Sequence, residues 1–87
     1  KHLILIVVPA STSYSRVGIV IKSKIERKPQ RRNYFKRRLR EAARALINSF
    51  RENVDMIIML RKSPPKNTKT QDFIYEIKDV LKKSDIL

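Results

Sequence analysis

Residues 35–51 sort into two adjoining stripes at helical spacing, and that division limits what the chain can fold into more than any other feature. Phe35, Leu39, Ala42, Ala43, Leu46 and Phe50 share an arc roughly 100° wide at about 100° per residue. Lys36, Arg37, Arg40, Arg44 and Arg51 occupy a second arc of similar width, and Ile47 sits at the margin. A helix patterned this way must bury one stripe against another layer and leave the other to solvent or to an anionic partner. The whole sequence has only 87 residues, so residues 1–87 make a single domain with one compact core.

The cationic stripe belongs to a larger concentration of charge. Lys and Arg total 21 against 8 Asp and Glu, a formal net charge of +13. Residues 16–51 hold thirteen of the basic residues and only two acids, Glu26 and Glu41. Such a block repels itself unless something anionic approaches, which points to phosphates or acidic lipid heads. Hydrophobic residues make up 41%, too many for a disordered basic tail and enough for a core. The absence of cysteine excludes a disulfide scaffold, a thiolate zinc site and a cysteine nucleophile. The longest apolar run, residues 3–8, is too short to span a bilayer, and no signal peptide precedes it in this sequence.

The remaining elements follow in order. Residues 3–8 (Leu-Ile-Leu-Ile-Val-Val) predict a strand buried on both faces, because nothing polar alternates within it. Residues 10–15 form a loop of the length that joins hairpin strands. Residues 16–22 read as a second strand containing Gly18, the single glycine, for which a bulge is the simple reading and close approach of a backbone or ligand the sharper one. Residues 54–60 read as a third strand, residues 61–69 with Pro64-Pro65 as a loop. Thr68 and Gln71 fit a capping box opening a last helix, whose apolar positions are Phe73, Ile74, Ile77, Val80 and Leu81. The order strand, strand, helix, strand, helix predicts an α/β sandwich, with helices packed on a small sheet.

Self-sufficient nuclease chemistry finds no support in these residues. Metal-dependent phosphodiester cleavage gathers carboxylates around metal ions, and here the acids are scattered. Glu41, among Arg37, Arg38, Arg40 and Arg44, reads as a helix ion pair. His2, the sole histidine, has no evident catalytic partner. The informative conflict lies at the start of the long helix. Arg31, Arg32, Lys36 and Arg37 crowd turns where the macrodipole already disfavours cations, an arrangement suited to holding phosphate.

The run Arg32-Asn33-Tyr34-Phe35-Lys36-Arg37-Arg38-Leu39-Arg40-Glu41 resembles the signature helix of the bacterial ribonuclease P protein subunit, Arg-Asn-Arg-x-Lys-Arg-x-x-Arg-Glu. The likeness extends to Arg16-Val17-Gly18-Ile19-Val20-Ile21-Lys22-Ser23-Lys24, to Asp55-Met56-Ile57-Ile58-Met59-Leu60-Arg61-Lys62 and to the closing helix with Phe73, Ile77 and Leu81. It implies a ribosomal-protein-like fold, a small mixed sheet with a left-handed β-α-β crossover around the basic helix. It also implies a cytoplasmic RNA-binding subunit that assists a catalytic RNA in removing the 5′ leader of precursor tRNA. On this reading catalysis and most Mg2+ binding belong to the RNA, the precursor tRNA is a second partner, and neither DNA nor membrane is one. Carried over by position, Arg32, Asn33, Lys36, Arg37 and Arg40 face the catalytic RNA, with Lys24 near the same surface; Arg44 joins them on the cationic stripe.

Three features depart from the family pattern. Tyr34 stands where the motif has arginine, exchanging a charge for a ring able to stack on a base. Residues 26–31 form a longer connection without the usual small residues. The helix that precedes the first strand in the family, and lends aromatics to the cleft for the leader, has no counterpart in residues 1–87, and Leu5 falls near an expected cleft tyrosine. The rival readings are a structural RNA-binding protein of ribosomal type and a DNA-binding or membrane-surface helix. Asn33 amid ordered cations favours RNA, since a membrane surface requires no particular asparagine.

Overall fold

A computed structural model describes residues 2–83. The elements run β1 (Leu3–Pro9), β2 (Arg16–Val20), α1 (Pro29–Ile47), β3 (Val54–Leu60) and α2 (Thr70–Lys83). They build two layers, a three-stranded mixed sheet and a pair of helices. β3 is the central strand, pairing antiparallel with β1 and parallel with β2. The parallel pair β2–β3 is therefore bridged by α1, which carries the basic block across the sheet.

The pairing corrects the hairpin reading of residues 10–15. β1 and β2 do not pair, because β3 lies between them, and the loop arches across two inter-strand gaps, about 10 Å. It is tied to the start of β3: Ala10 N–H donates to Asn53 O at 3.0 Å, and Val54 N–H donates to Ser15 Oγ at 3.0 Å. A loop of this length can close a hairpin or step over one strand, and local pattern does not distinguish the two.

The second correction concerns β1. Leu3, Leu5 and Val7 face the helices, whereas Ile4, Ile6 and Val8 are 42%, 47% and 50% exposed on the other side. Val20 and Ile57 share that open face. The run of apolar residues reflects a sheet with one packed and one apolar outer face, not a doubly covered strand. Leu5 points to the core, so the outward residue positions of β1 belong to Ile4, Ile6 and Val8.

Gly18 sits in regular pairing, Val17 to Met56, Gly18 to Ile57 and Ile19 to Ile58, so the expected bulge is absent at this position. A Cβ there would meet only Ile57 Cγ1, at 4.0 Å, which is ordinary van der Waals contact. No crowding among the described residues requires glycine.

The core lies between the sheet and both helices. Phe35, Leu39, Ala42, Ala43 and Leu46 of α1 pack with Phe73, Ile77 and Leu81 of α2 over Val54, Met56, Ile58 and Leu60 of β3. Phe35 and Phe73 meet edge to face, centroids 6.3 Å apart and planes at 89°, a favoured aromatic geometry. Phe50 also packs against this core, but from beyond the end of α1, and Arg51 likewise falls outside the helix.

Each helix start differs in detail from the spacing argument. Pro29 occupies the first turn of α1, where its missing N–H and fixed φ cost nothing. α2 begins at Thr70, and its cap is Asp72, which accepts the Lys69 N–H at 2.9 Å; this is the backward half of a capping box set one residue later than expected. Thr68 instead donates its hydroxyl to Pro65 O at 2.6 Å.

Candidate nucleic-acid interface

The buried stripe of α1 fixes where its cations point. With Phe35, Leu39, Ala42 and Leu46 held in the core, Asn33, Lys36, Arg37, Arg40 and Arg44 must turn away from it, Lys36 at the edge of the core stripe. Together with Glu41 these five residues line one shallow depression on the outer face of the helix. Asn33, Arg37, Arg40 and Arg44 are exposed and Lys36 is half-buried. None of the five has a side-chain hydrogen bond or ion pair among the described residues, so the cations are held by a rigid helix without being neutralised. Arginine forks onto phosphate oxygens, lysine adds point charge, and Asn33 can both donate and accept. Lys24 lies exposed in the turn between β2 and α1, on the connection that leads to the helix entry.

Other basic residues in the block have structural tasks that spacing did not reveal. Arg31 Nε donates to Glu26 Oε1 at 2.8 Å, and its Nη2 reaches Pro64 O at 3.1 Å. Arg32 Nη1 donates to Glu26 O at 2.9 Å and to Arg27 O at 3.1 Å. Arg32 thus braces the connection into α1 while remaining half-exposed. Glu26 also supplies the carboxylate that the first turn of α1 lacks, accepting the Lys28 N–H at 3.2 Å and the Ser63 hydroxyl. The dipole conflict inferred from Arg31 and Arg32 is therefore partly relieved by an acid from the preceding loop.

Tyr34 has partners within the chain. Its hydroxyl donates to Thr68 O at 2.9 Å, and the Arg38 guanidinium lies over its ring, 5.1 Å from the centroid, a cation–π distance. Arg38 pairs with Glu41, Nε to Oε1 3.1 Å, as the helix spacing suggested. The second partner of Glu41 is Thr70, whose hydroxyl donates to Oε1 at 2.7 Å. Tyr34, Arg38 and Glu41 thus form a seam binding α1 to the start of α2, alongside the row of free cations. Helix spacing pointed only to the ion pair of Glu41; the rest of the seam left no signal in the sequence, because its partners lie on residues 68–70, remote from α1.

A family model for ribonuclease P matches residues 1–85. The chain belongs to the ribonuclease P protein family. It is 31% identical over 77 residues to the ribonuclease P protein component of Synechococcus elongatus, a match covering 88% of this chain and 63% of that protein. The same component of Nitrosomonas eutropha is 40% identical over 55 residues, covering 63% of this chain and 45% of that protein. The chain thus spans under two thirds of the length of these curated relatives. The RNase P protein of Thermotoga maritima, in complex with 1-(4-fluorophenyl)-2-thiourea, has the same fold, with a TM-score of 0.81 and 26% identity over 95% of this chain and 79% of that one. The Staphylococcus aureus RNase P protein, at 23% identity, agrees in fold with a TM-score of 0.76 over 98% of this chain and 76% of that one.

Within the ribonuclease P family pattern, the signature motif lies wholly on α1. Its positions divide between two faces, Phe35 and Leu39 going to the core and Asn33, Lys36, Arg37 and Arg40 to the open depression.

Proposed function

We propose that the chain is the RNA-binding subunit of ribonuclease P, docking through α1 onto a catalytic RNA that removes the 5′ leader of precursor tRNA. The observation that carries this reading is the depression lined by Asn33, Lys36, Arg37, Arg40 and Arg44 on a helix whose family is ribonuclease P. Unneutralised cations on a fixed element favour a polyanion of defined shape, and Asn33 offers contact to a base edge or 2′-hydroxyl. Arg32 joins them at the helix entry, and Lys24 lies on the approach.

Mg2+ chemistry in this proposal resides with the RNA. Among the described residues no group of three or more His, Cys, Asp or Glu could hold a metal ion, so no step is assigned to a protein-bound ion. The protein's contribution is charge neutralisation and positioning, with the 5′ leader passing the open face of the sheet near Ile6, Val8 and Gly18. Among the described residues no helix is long and apolar enough to cross a membrane, and the proposed setting is the cytoplasm, where precursor tRNA is processed.

The test is cleavage of precursor tRNA by a bacterial ribonuclease P RNA at low magnesium, with and without the 87-residue chain. Restoration of 5′ cleavage is expected, and lost restoration on combining Arg37→Ala with Arg40→Ala. An RNA bound tightly by the chain, yet cleaved no faster, would leave a structural RNA-binding protein.

A further inference from the structure

We infer that the corner formed by residues 65–69 is a second phosphate contact for RNA, with Lys66 and Lys69 extending the docking face of α1 across its seam with α2. The inference rests on the reading of α1 as that face, and it adds a contact from a different part of the chain.

The first observation is placement. Glu41 both lines the depression and belongs to the seam, pairing with Arg38 and accepting from Thr70, so the two meet along α1 at that residue. Across that seam, Tyr34 donates to Thr68 O at 2.9 Å and Thr70 donates to Glu41 Oε1 at 2.7 Å. The corner is thereby attached to the rim of the cationic face. Tyr34 removes one charge that the motif pattern would place on α1; the segment it holds carries two lysines, Lys66 and Lys69.

The second observation is that the corner has a defined shape. Thr68 N–H donates to Pro65 O at 3.0 Å, and the Thr68 hydroxyl donates to the same oxygen at 2.6 Å. Lys66 and Asn67 occupy the two central positions of this turn, both exposed. Pro64 is buried and its carbonyl is held by Arg31, so the turn is anchored on both sides. The ordering has already been completed before any partner arrives, and less entropy is lost on contact.

The third observation is charge. Residues 61–69 hold four basic residues and no acid. The Lys66 and Lys69 side chains are exposed and have no partner among the described residues. The nearest acid in sequence, Asp72, accepts the Lys69 N–H and caps α2. Lys69 borders a cavity that Asp72, Glu76 and Asp79 also line, without pairing its ammonium with any of them, and Lys66 stands at the tip of the turn; a phosphate backbone docked on α1 would supply charges at regular spacing across the seam.

The experiment is a salt titration of binding to a transcribed bacterial ribonuclease P RNA, comparing the wild type with Lys66→Ala/Lys69→Ala, Tyr34→Phe, the combination of these three substitutions, and Arg37→Ala. The lysine double variant is expected to weaken binding and flatten the slope of log affinity against log salt by up to about two units, one per contact. Tyr34→Phe keeps the ring under Arg38 but releases Thr68. It is expected to weaken binding in the wild-type background and to add nothing once both lysines are gone. Melting curves of the double variant that match the wild type keep a folding defect out of the comparison. Wild-type affinity and slope in the double variant, with Arg37→Ala weakened, would overturn the corner and leave α1 as the docking face. If Arg37→Ala also bound as the wild type does, both readings would fall.

Discussion

Arg31 donates its Nε to Glu26 Oε1 at 2.8 Å, and Glu26 is the one buried charged side chain among the described residues. The pair joins the loop before α1 to the first turn of the helix. Through Ser63, whose hydroxyl donates to the same carboxylate, it also joins the segment that follows β3. The entry to α1 and a segment 37 residues from Glu26 therefore depend on one acid remaining ionised. The Ser63 hydroxyl is the largest influence holding Glu26 below the usual carboxylate range; burial opposes it, and the Lys28 N–H and Arg31 reinforce it.

The sign of the pH dependence follows from that depressed value. Glu26 binds its proton less readily when folded than when unfolded, so its contribution to stability is fully present above the unfolded value near 4.5. It is lost as pH falls through the lower folded value. Asp55, held down by its hydrogen bond from Arg16, acts in the same direction. Thermal melts from pH 7 to pH 3 should show Glu26→Gln less stable than the wild type at pH 7. The difference should narrow below about pH 4 as the wild type loses its ionised form. A constant difference across the range would mean that the Glu26 carboxylate gains nothing from its partners.

The two faces of α1 should separate cleanly by mutation. Leu39 is fully buried, and Leu39→Ala should destabilise the fold by about 2–5 kcal/mol. For a chain of this size each kcal/mol corresponds to roughly 4–8 °C in Tm. Arg40→Ala, at an exposed position, should leave the melt within ~0.5 kcal/mol of wild type and weaken RNA binding. Melts in the reverse order would show that the faces are wrongly assigned.

What the sequence made legible follows physical locality. The bounds of β3 and the core stripe Phe35, Leu39, Ala42, Ala43 and Leu46 came directly from pattern, because periodicity is a property of consecutive residues. The neighbour of β1 did not. Ile4, Ile6 and Val8 look like core residues in any local window, and only the absence of a covering layer among the described residues makes them exposed. At the candidate interface, the outward cations Lys36, Arg37, Arg40 and Arg44 could be named from spacing, and Asn33 from the resemblance of the motif. The work of Arg31, Arg32 and Tyr34 could not be, because arginine serves a carbonyl or carboxylate as readily as a phosphate. Their partners, Glu26, Pro64 and Thr68, enter through loops whose course no helical pattern records.

Gly18 offers a test of whether its strand needs glycine for shape or for a visitor. Its pairing is regular and a Cβ would touch only Ile57 at 4.0 Å. Gly18→Ala should therefore stabilise the fold by about 0.4–1 kcal/mol by restricting the unfolded chain. Binding of a leader-bearing precursor tRNA should fall relative to mature tRNA, since the added methyl enters the shallow groove shared with Ile6 and Val8. A lowered Tm would mean that the strand itself demands glycine; a raised Tm with unchanged leader discrimination would remove this groove from the leader's path.

Asn33 and its arginine neighbours should contribute to RNA binding in different ways. All line the same depression, so a general phosphate binder would treat them as interchangeable sources of affinity. Arg37→Ala or Arg40→Ala removes a cation, with fewer counterions released on binding. Each should lower affinity and flatten the salt slope by up to about one unit. Asn33→Ala removes no charge, and its slope should remain that of the wild type. What it loses is a paired donor and acceptor able to read a base edge or a 2′-hydroxyl. Its loss should therefore appear on ribonuclease P RNA and not on an unrelated duplex of equal length. The measurement is one salt titration per variant on both RNAs. Equal weakening of the two RNAs by Asn33→Ala would make α1 a face for phosphate in general, in which the order of the motif residues carries no recognition.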